Sequence, residues 1–323
     1  MRIKAVYSVV VAVVLLLLTA CGDRLRFHDS AIERKAEALT IQRFDRDFFD
    51  MDSTELEQKY GDFYNIYVHQ VMQLIPSRIE NFKADSAFAV LRKQVDSVYS
   101  SAADVEKTLA IAFAYYKHYF PESQLPAVSF HVSGFNQSVI TTPGRVSASI
   151  DNYLGENYPM YPQIAYQYEI PYMTPRHLPI DMLLGWLTSE YPDTNGRLLE
   201  SMIYHGKLMY LLQVFFPDEE MAELLSYTKQ QFKWCLRYEK NIWAMIVEKR
   251  ELYSTDWRII TRYTQPAPFT NGLSQEDSPG RIGVFLGWRI VSAYMERNEK
   301  LTLQELMHET DAQKILQLSG YRP

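Results

Sequence analysis

The 323-residue sequence predicts an α+β fold, mainly helical, with a small antiparallel sheet. Apolar residues recur at helical spacing over most of the chain, whereas strict alternation is confined to residues 127–150. The 23 tyrosines and 16 phenylalanines supply the apolar mass of a packed domain and exclude long disorder. Residues 54–75 and 78–100 read as helices. The next helix is better marked: Asp104 is a side-chain cap, Val105, Leu109, Phe113 and Tyr116 fall on one face, and Pro121 ends it. Ala127 to Val132 then alternates and meets Gly134, while 138–142 and 146–150 flank Pro143-Gly144, which predicts the sheet near 127–150. Residues 151–173 hold tyrosines 153, 158, 161, 166, 168 and 172 and three prolines, too aromatic for a solvated linker. Helices return at 179–190, 197–215, 219–249, 281–297 and 302–318, the last opened by a Thr302/Glu305 capping box. No internal repeat or low-complexity tract interrupts a globular domain expected over 40–323.

The N-terminus reads as an export element. Arg2 and Lys4 precede a mainly apolar run of fourteen residues, Ala5 to Leu18, too short to span a bilayer comfortably but suited to a signal peptide. Leu18-Thr19-Ala20-Cys21 resembles a bacterial lipobox. That resemblance implies removal of residues 1–20 and acylation of Cys21, whose several chains, palmitate among them, anchor stably where one would not. Residues 21–39 are then expected as a lipidated tether, mixed in charge and helix-permissive. The absence of an acidic run after Cys21 points to a periplasm-facing domain in the cell envelope, on either membrane.

Charge and cysteine usage narrow the classes. Without Arg2 and Lys4 there are 31 basic against 39 acidic side chains, which argues against nucleic acid as partner. After Cys21 only Cys235 remains, so no intramolecular disulfide forms, and its aromatic helical setting reads as that of a buried, inert thiol. Among seven histidines there is no His-Glu-x-x-His, nor is there a Gly-x-Ser-x-Gly or a zinc-spaced Cys/His set.

Some polar residues remain as candidates. His177 and Asp181 are four apart, but Pro179 favours a helix starting after His177, so their pairing is expected to fail and His177 to cap or face solvent. His205 reads first as a structural histidine of a core helix, and Glu200 and Lys207 as its solvated or paired face. Ser278-Pro279-Gly280-Arg281 reads as a helix start with Ser278 as cap; it serves either structure or an anion at Ser278, Gly280 and Arg281. Gly283 and Gly287, four apart, favour structure because they admit another backbone. The tyrosines of 153–172 either seal the sheet against helices or stack sugars.

Several segments carry a family likeness: Arg43-Phe44-Asp45-Arg46-Asp47-Phe48-Phe49, Tyr60-Gly61-Asp62-Phe63-Tyr64, Asp151-Asn152-Tyr153-Leu154-Gly155, Leu199 to Lys207, and Ser278 to Gly283. Together with the lipobox they resemble the gliding-motility lipoprotein GldB family of Bacteroidetes. The resemblance implies an envelope lipoprotein of the gliding and associated secretion machinery, held by membrane lipid through Cys21 and partnered by envelope proteins. A fainter likeness is to predicted zinc peptidases of the DUF2268 type, through Tyr153-Leu154-Gly155 and Pro279 to Gly283, which implies a zincin-like helical domain. On that mapping the zinc helix falls at Asp181 to Gly185 and a further ligand at His205. Met182 replaces the base and Gly185 a ligand, so the resemblance implies a pseudoenzyme without metal or other cofactor. The expected function is thus a noncatalytic protein-interaction component; the alternatives are an envelope hydrolase with a degenerate site at Asp181, Glu200 and His205, and a glycan-binding module.

Overall fold

A computed structural model describes residues 26–194, 196–274 and 276–323. The N-terminal part is a string of short helices set by their caps. Asp29 accepts from the Ala31 amide at 2.8 Å to start α1 (Ser30–Glu33), and strand β1 (Gln42–Arg43) leads into α2 (Phe44–Asp50). An Asp52/Glu55 capping box opens α3 (Ser53–Tyr60). The helix expected over 54–75 breaks at Gly61, whose φ of +55° ends α3 before α4 (Asp62–Ile66) and its π-helical extension Tyr67–Val71. That expected over 78–100 is likewise two, α5 (Ile79–Lys83) and α6 (Ser86–Val98), because the Asp85 carboxylate caps a new start. Helix α7 (Ala103–Tyr119) holds Asp104 in its first turn instead of at the cap, where the Ser101 hydroxyl accepts from the Ala103 amide.

The sheet contains β1, β2 (Ala127–His131), β3 (Val139–Thr142) and β4 (Arg145–Ser149) in the order β1-β2-β4-β3. The expected antiparallel sheet is mixed. Only β3 and β4, joined by the turn at Gly144 with φ of +72°, run antiparallel; β1 with β2 and β2 with β4 are parallel. Alternation reports which face a side chain takes, and the strand neighbour is set by the connection between strands. Here residues 132–138 carry the chain past the slot that β4 fills, so β3 becomes the outer strand.

After a turn of 3-10 helix at Ile150–Tyr153 come α8 (Tyr161–Ile164), α9 (Leu178–Glu190), α10 (Leu198–Phe215), α11 (Met221–Leu224) and α12 (Lys229–Glu248). Four further helices close the fold: α13 (Trp257–Thr264), α14 (Ile282–Arg297), α15 (Leu303–His308) and α16 (Ala312–Ser319). The run expected over 219–249 breaks at Ser226, whose φ of +55° caps α11. Helix α13, absent from the sequence reading, is capped by Asp256.

Two apolar clusters flank the sheet. Phe44, Phe48, Tyr60, Phe63, Tyr67 and Ile140 belong to one, Val128, Phe130, Val146 and Ala148 to the other, with the C-terminal helices. Within the second, α10 and α14 cross at backbone contact. A Cβ on Gly206 would lie 2.3 Å from the Gly287 carbonyl, and one on Gly287 would lie 1.8 Å from the Met202 oxygen. Gly283 is similarly pressed against Tyr263, so the glycine pair acts as a packing device. At the N-terminal end, residues 26–39, expected as tether, lie on the domain. Phe27 and Ile32 are buried, the Tyr119 hydroxyl donates to the Phe27 carbonyl at 2.7 Å, and Arg26 donates to the Leu301 carbonyl at 2.5 Å.

Candidate functional site

A cavity of about 460 Å³ opens where the sheet end, the tyrosine-rich segment and three helix starts meet. Its floor is organised by Asp151, fully buried after β4. The Ser149 hydroxyl donates to one carboxylate oxygen at 2.5 Å and the Phe135 amide to the other at 2.7 Å, which pins the 133–135 turn. The Tyr161 hydroxyl donates to the Asp151 carbonyl at 2.8 Å and so ties the tyrosine segment to the same point. Asn152 and Tyr153 are thereby turned into the cavity wall. Tyrosines 153 and 161 do seal the sheet end, whereas Tyr166 is 68% exposed and stacks on Tyr168 at 5.5 Å.

His177 and Asp181 meet, contrary to the expectation drawn from Pro179. His177 is the N-cap of α9 but has right-handed helical backbone, φ −80° and ψ −24°, so it shares a face with the residue four ahead. Pro179 occupies the first turn, where its missing amide is no loss. The imidazole Nε2 lies 3.5 Å from Asp181 Oδ1 and 3.3 Å from Ser226 Oγ, and Nδ1 lies 2.9 Å from Glu223 Oε1. Only 1% of His177 is exposed, so it is neither a surface residue nor a simple cap. Burial alone would lower its pKa, but Asp181 and Glu223 outweigh it and lift it to about 9. Burial works to raise the Asp181 pKa; His177, the Tyr153 hydroxyl at 2.8 Å and Arg281 overcome it and hold the carboxyl below its usual range. The hydrogen bond from His177 does the same for Glu223.

Ser226, His177 and Glu223 follow the order hydroxyl, imidazole, carboxylate familiar from acyl-transfer relays. Asp181 changes the chemistry. With a carboxylate near each ring nitrogen the imidazole stays protonated at neutral pH and has no lone pair with which to take the Ser226 proton. No local pattern announces this cluster, because Glu223 and Ser226 come from α11 and its end, more than forty residues beyond His177.

The helix start at α14 differs from the expected one. Ser278 does not cap; its hydroxyl donates to the Ser274 carbonyl at 2.5 Å. The cap is Arg281 itself, in the left-handed region at φ +56°. Tyr227 donates to the Gly280 carbonyl at 2.9 Å and Thr270 to the Pro279 carbonyl at 2.8 Å, and a Cβ on Gly280 would meet the Ala267 oxygen at 2.4 Å. Gly280 is thus structural, and Arg281 is left facing the cavity. Burial pushes its guanidinium pKa down, against the pull of Asp181 and Tyr227.

The other candidates are not brought together. Glu200 accepts from the Gly196 and Arg197 amides at 3.0 and 3.1 Å and serves the start of α10. His205 is drawn down to about 4 by burial and then by the Arg281 charge, which keeps it neutral. Lys207 donates to the Glu309 carbonyl. On the helix mapped to zinc binding, Met182 is fully buried and Gly185 packs on Val139, where a Cβ would come within 2.8 Å. Among the described residues no three His, Cys, Asp or Glu side chains converge to hold a metal ion, and Asp181, Glu200 and His205 form no such group. Cys235 is buried, and burial raises its thiol pKa. Cys21 and the signal segment 1–20 lie outside the described residues.

Fold and site together define a mainly helical α+β domain in which a buried imidazolium and a helix-start arginine line one polar cavity. The chain belongs to the gliding motility protein GldB family, whose model matches residues 28–323. It is therefore a gliding-motility related protein. No curated protein and no solved structure matches it significantly. Among the described residues no helix is long and apolar enough to cross a membrane.

Proposed function

We propose that this protein is an envelope lipoprotein, anchored through acylated Cys21 with its domain facing the periplasm, that binds other proteins of the gliding and associated secretion machinery without catalysing a reaction. The observation that carries the noncatalytic part is the lock on His177: this imidazole, beside the Ser226 hydroxyl in the cavity, is held as a cation between Asp181 and Glu223. Family membership supports the machinery, and the lipobox supports the anchor.

Crosslinking in native envelopes followed by capture of the full chain tests the reading. Defined envelope proteins should be recovered with the wild type, and the wild type should incorporate labelled fatty acid. Cys21→Ser should be released from membranes. Retention of Cys21→Ser together with no fatty acid on the wild type would overturn the anchor. Ser226→Ala should leave gliding intact; loss of gliding in a folded Ser226→Ala protein would favour acyl transfer.

A glycan-binding module is the second reading, favoured by the exposed Tyr166–Tyr168 stack at the cavity rim, whose apolar faces suit a sugar ring. Retention on purified peptidoglycan that is lost in Tyr166→Ala would move it to first place.

A further inference from the structure

We propose that the cavity binds an oxyanion, the carboxylate or phosphate group of a small ligand, through Arg281 and Asn152. Donors and acceptors in the wall do not balance. Every acid there already has a donor: Asp181 takes the Tyr153 hydroxyl and faces His177, Glu223 takes His177 Nδ1, and Glu169 stands beside the Tyr168 hydroxyl. The donors are the ones left over. Arg281, half-buried and lining the cavity, has no hydrogen-bond or ion-pair partner among the described residues. Asn152, 5% exposed and lining the same cavity, has a buried Nδ2 with no partner.

A guanidinium carries five N–H donors and stays charged, so a half-buried one with no protein acceptor presents them to whatever enters the cavity, while the fully buried Asn152 Nδ2 beside that cavity lacks any acceptor. The enclosure is also built. Tyr227 and Thr270 grip the two carbonyls before Arg281, which holds the Arg281 backbone, left-handed, at the positive end of the sixteen-residue helix α14. The volume lies in the range of small-ligand pockets, and Tyr168 and Tyr172 line it where the ligand body would lie.

This inference rests on the cavity and not on partner capture, so a failed crosslinking experiment and a failed titration would condemn different claims. Calorimetric titration of the full chain in detergent would use inorganic phosphate in one arm and alanyl-alanine, with free or amidated C-terminus, in the other. One probe should bind at one site per chain. Binding of phosphate names a phosphate source; binding of the free but not the amidated dipeptide names a carboxylate. Arg281→Gln should weaken that binding about tenfold or more, and Asn152→Asp should do so by placing a like charge in the site. Phenylglyoxal modification of Arg281 in the wild type, read by peptide mass, should be slowed by the probe that binds, a readout that needs no folded variant. Binding by neither probe, equal affinity in folded Arg281→Gln, or modification at an unchanged rate would each overturn the proposal.

Discussion

At residue 177 protonation and folding are coupled, because one imidazole is shared by two carboxylates. The folded pKa of about 9 lies above the ordinary value of 6.5, so the stabilisation is fully present below pH 6.5 and is lost as pH rises through 9. The shift corresponds to an upper figure of about 3 kcal/mol, and the depressed pKa values of Asp181 and Glu223 describe the same contacts and add nothing to it. Denaturant midpoints should fall between pH 6.5 and pH 9.5 in the wild type and show a flatter slope in His177→Gln; equal slopes would locate the dependence elsewhere. The spacing of His177 and Asp181 was visible in the sequence. Its meaning was not, because Pro179 argues about where the helix begins and says nothing of a cap residue that is itself helical. Glu223 was beyond reach for another reason: its partnership with His177 is made by the return of α11 over the start of α9.

Among the elements, the α10–α14 crossing has the least room for change. Gly287→Leu would drive a side chain into the Met202 carbonyl, so the helices must separate, at a cost of about 3 kcal/mol or more. Thermal unfolding should show a large drop in midpoint, or the protein should fail to accumulate; an unchanged midpoint would mean that the two helices do not touch. Glycines 283 and 287 announce a close approach from their spacing alone, yet Gly206, which completes the contact, looks in sequence like an interruption of a core helix. The sheet shows the same limit. Its strands are legible from alternation, while the parallel pairing of β2 with β4 depends on a connection that alternation does not encode.

For the molecule as a whole, the N-terminal segment is the part least legible in composition. Residues 22–39 are mixed in charge, and what docks 26–39 is a few dispersed contacts: the Phe27 ring lies 5.3 Å from that of Tyr119 and 6.3 Å from that of Tyr210, and the Tyr115 hydroxyl donates to Glu33 at 2.9 Å. Phe27→Ala should therefore lower global stability by about 3 kcal/mol, measured by chemical denaturation of the full chain, whereas a free segment would be indifferent to the change. The mainly helical class was readable, and His177, Asp181 and Arg281 could be singled out one by one; the way residues 26–33 close onto the later helices was not. That closure sets a stand-off distance. If the lipid sits on Cys21, five peptide steps separate it from Arg26, a leash of at most about 19 Å. Such a leash is shorter than the breadth of a domain of this size, roughly 50 Å by compact-chain scaling. The protein would then work as a surface-hugging unit with one side turned to the bilayer and its neighbours sought in the membrane plane, not as a float sampling the depth of the periplasm.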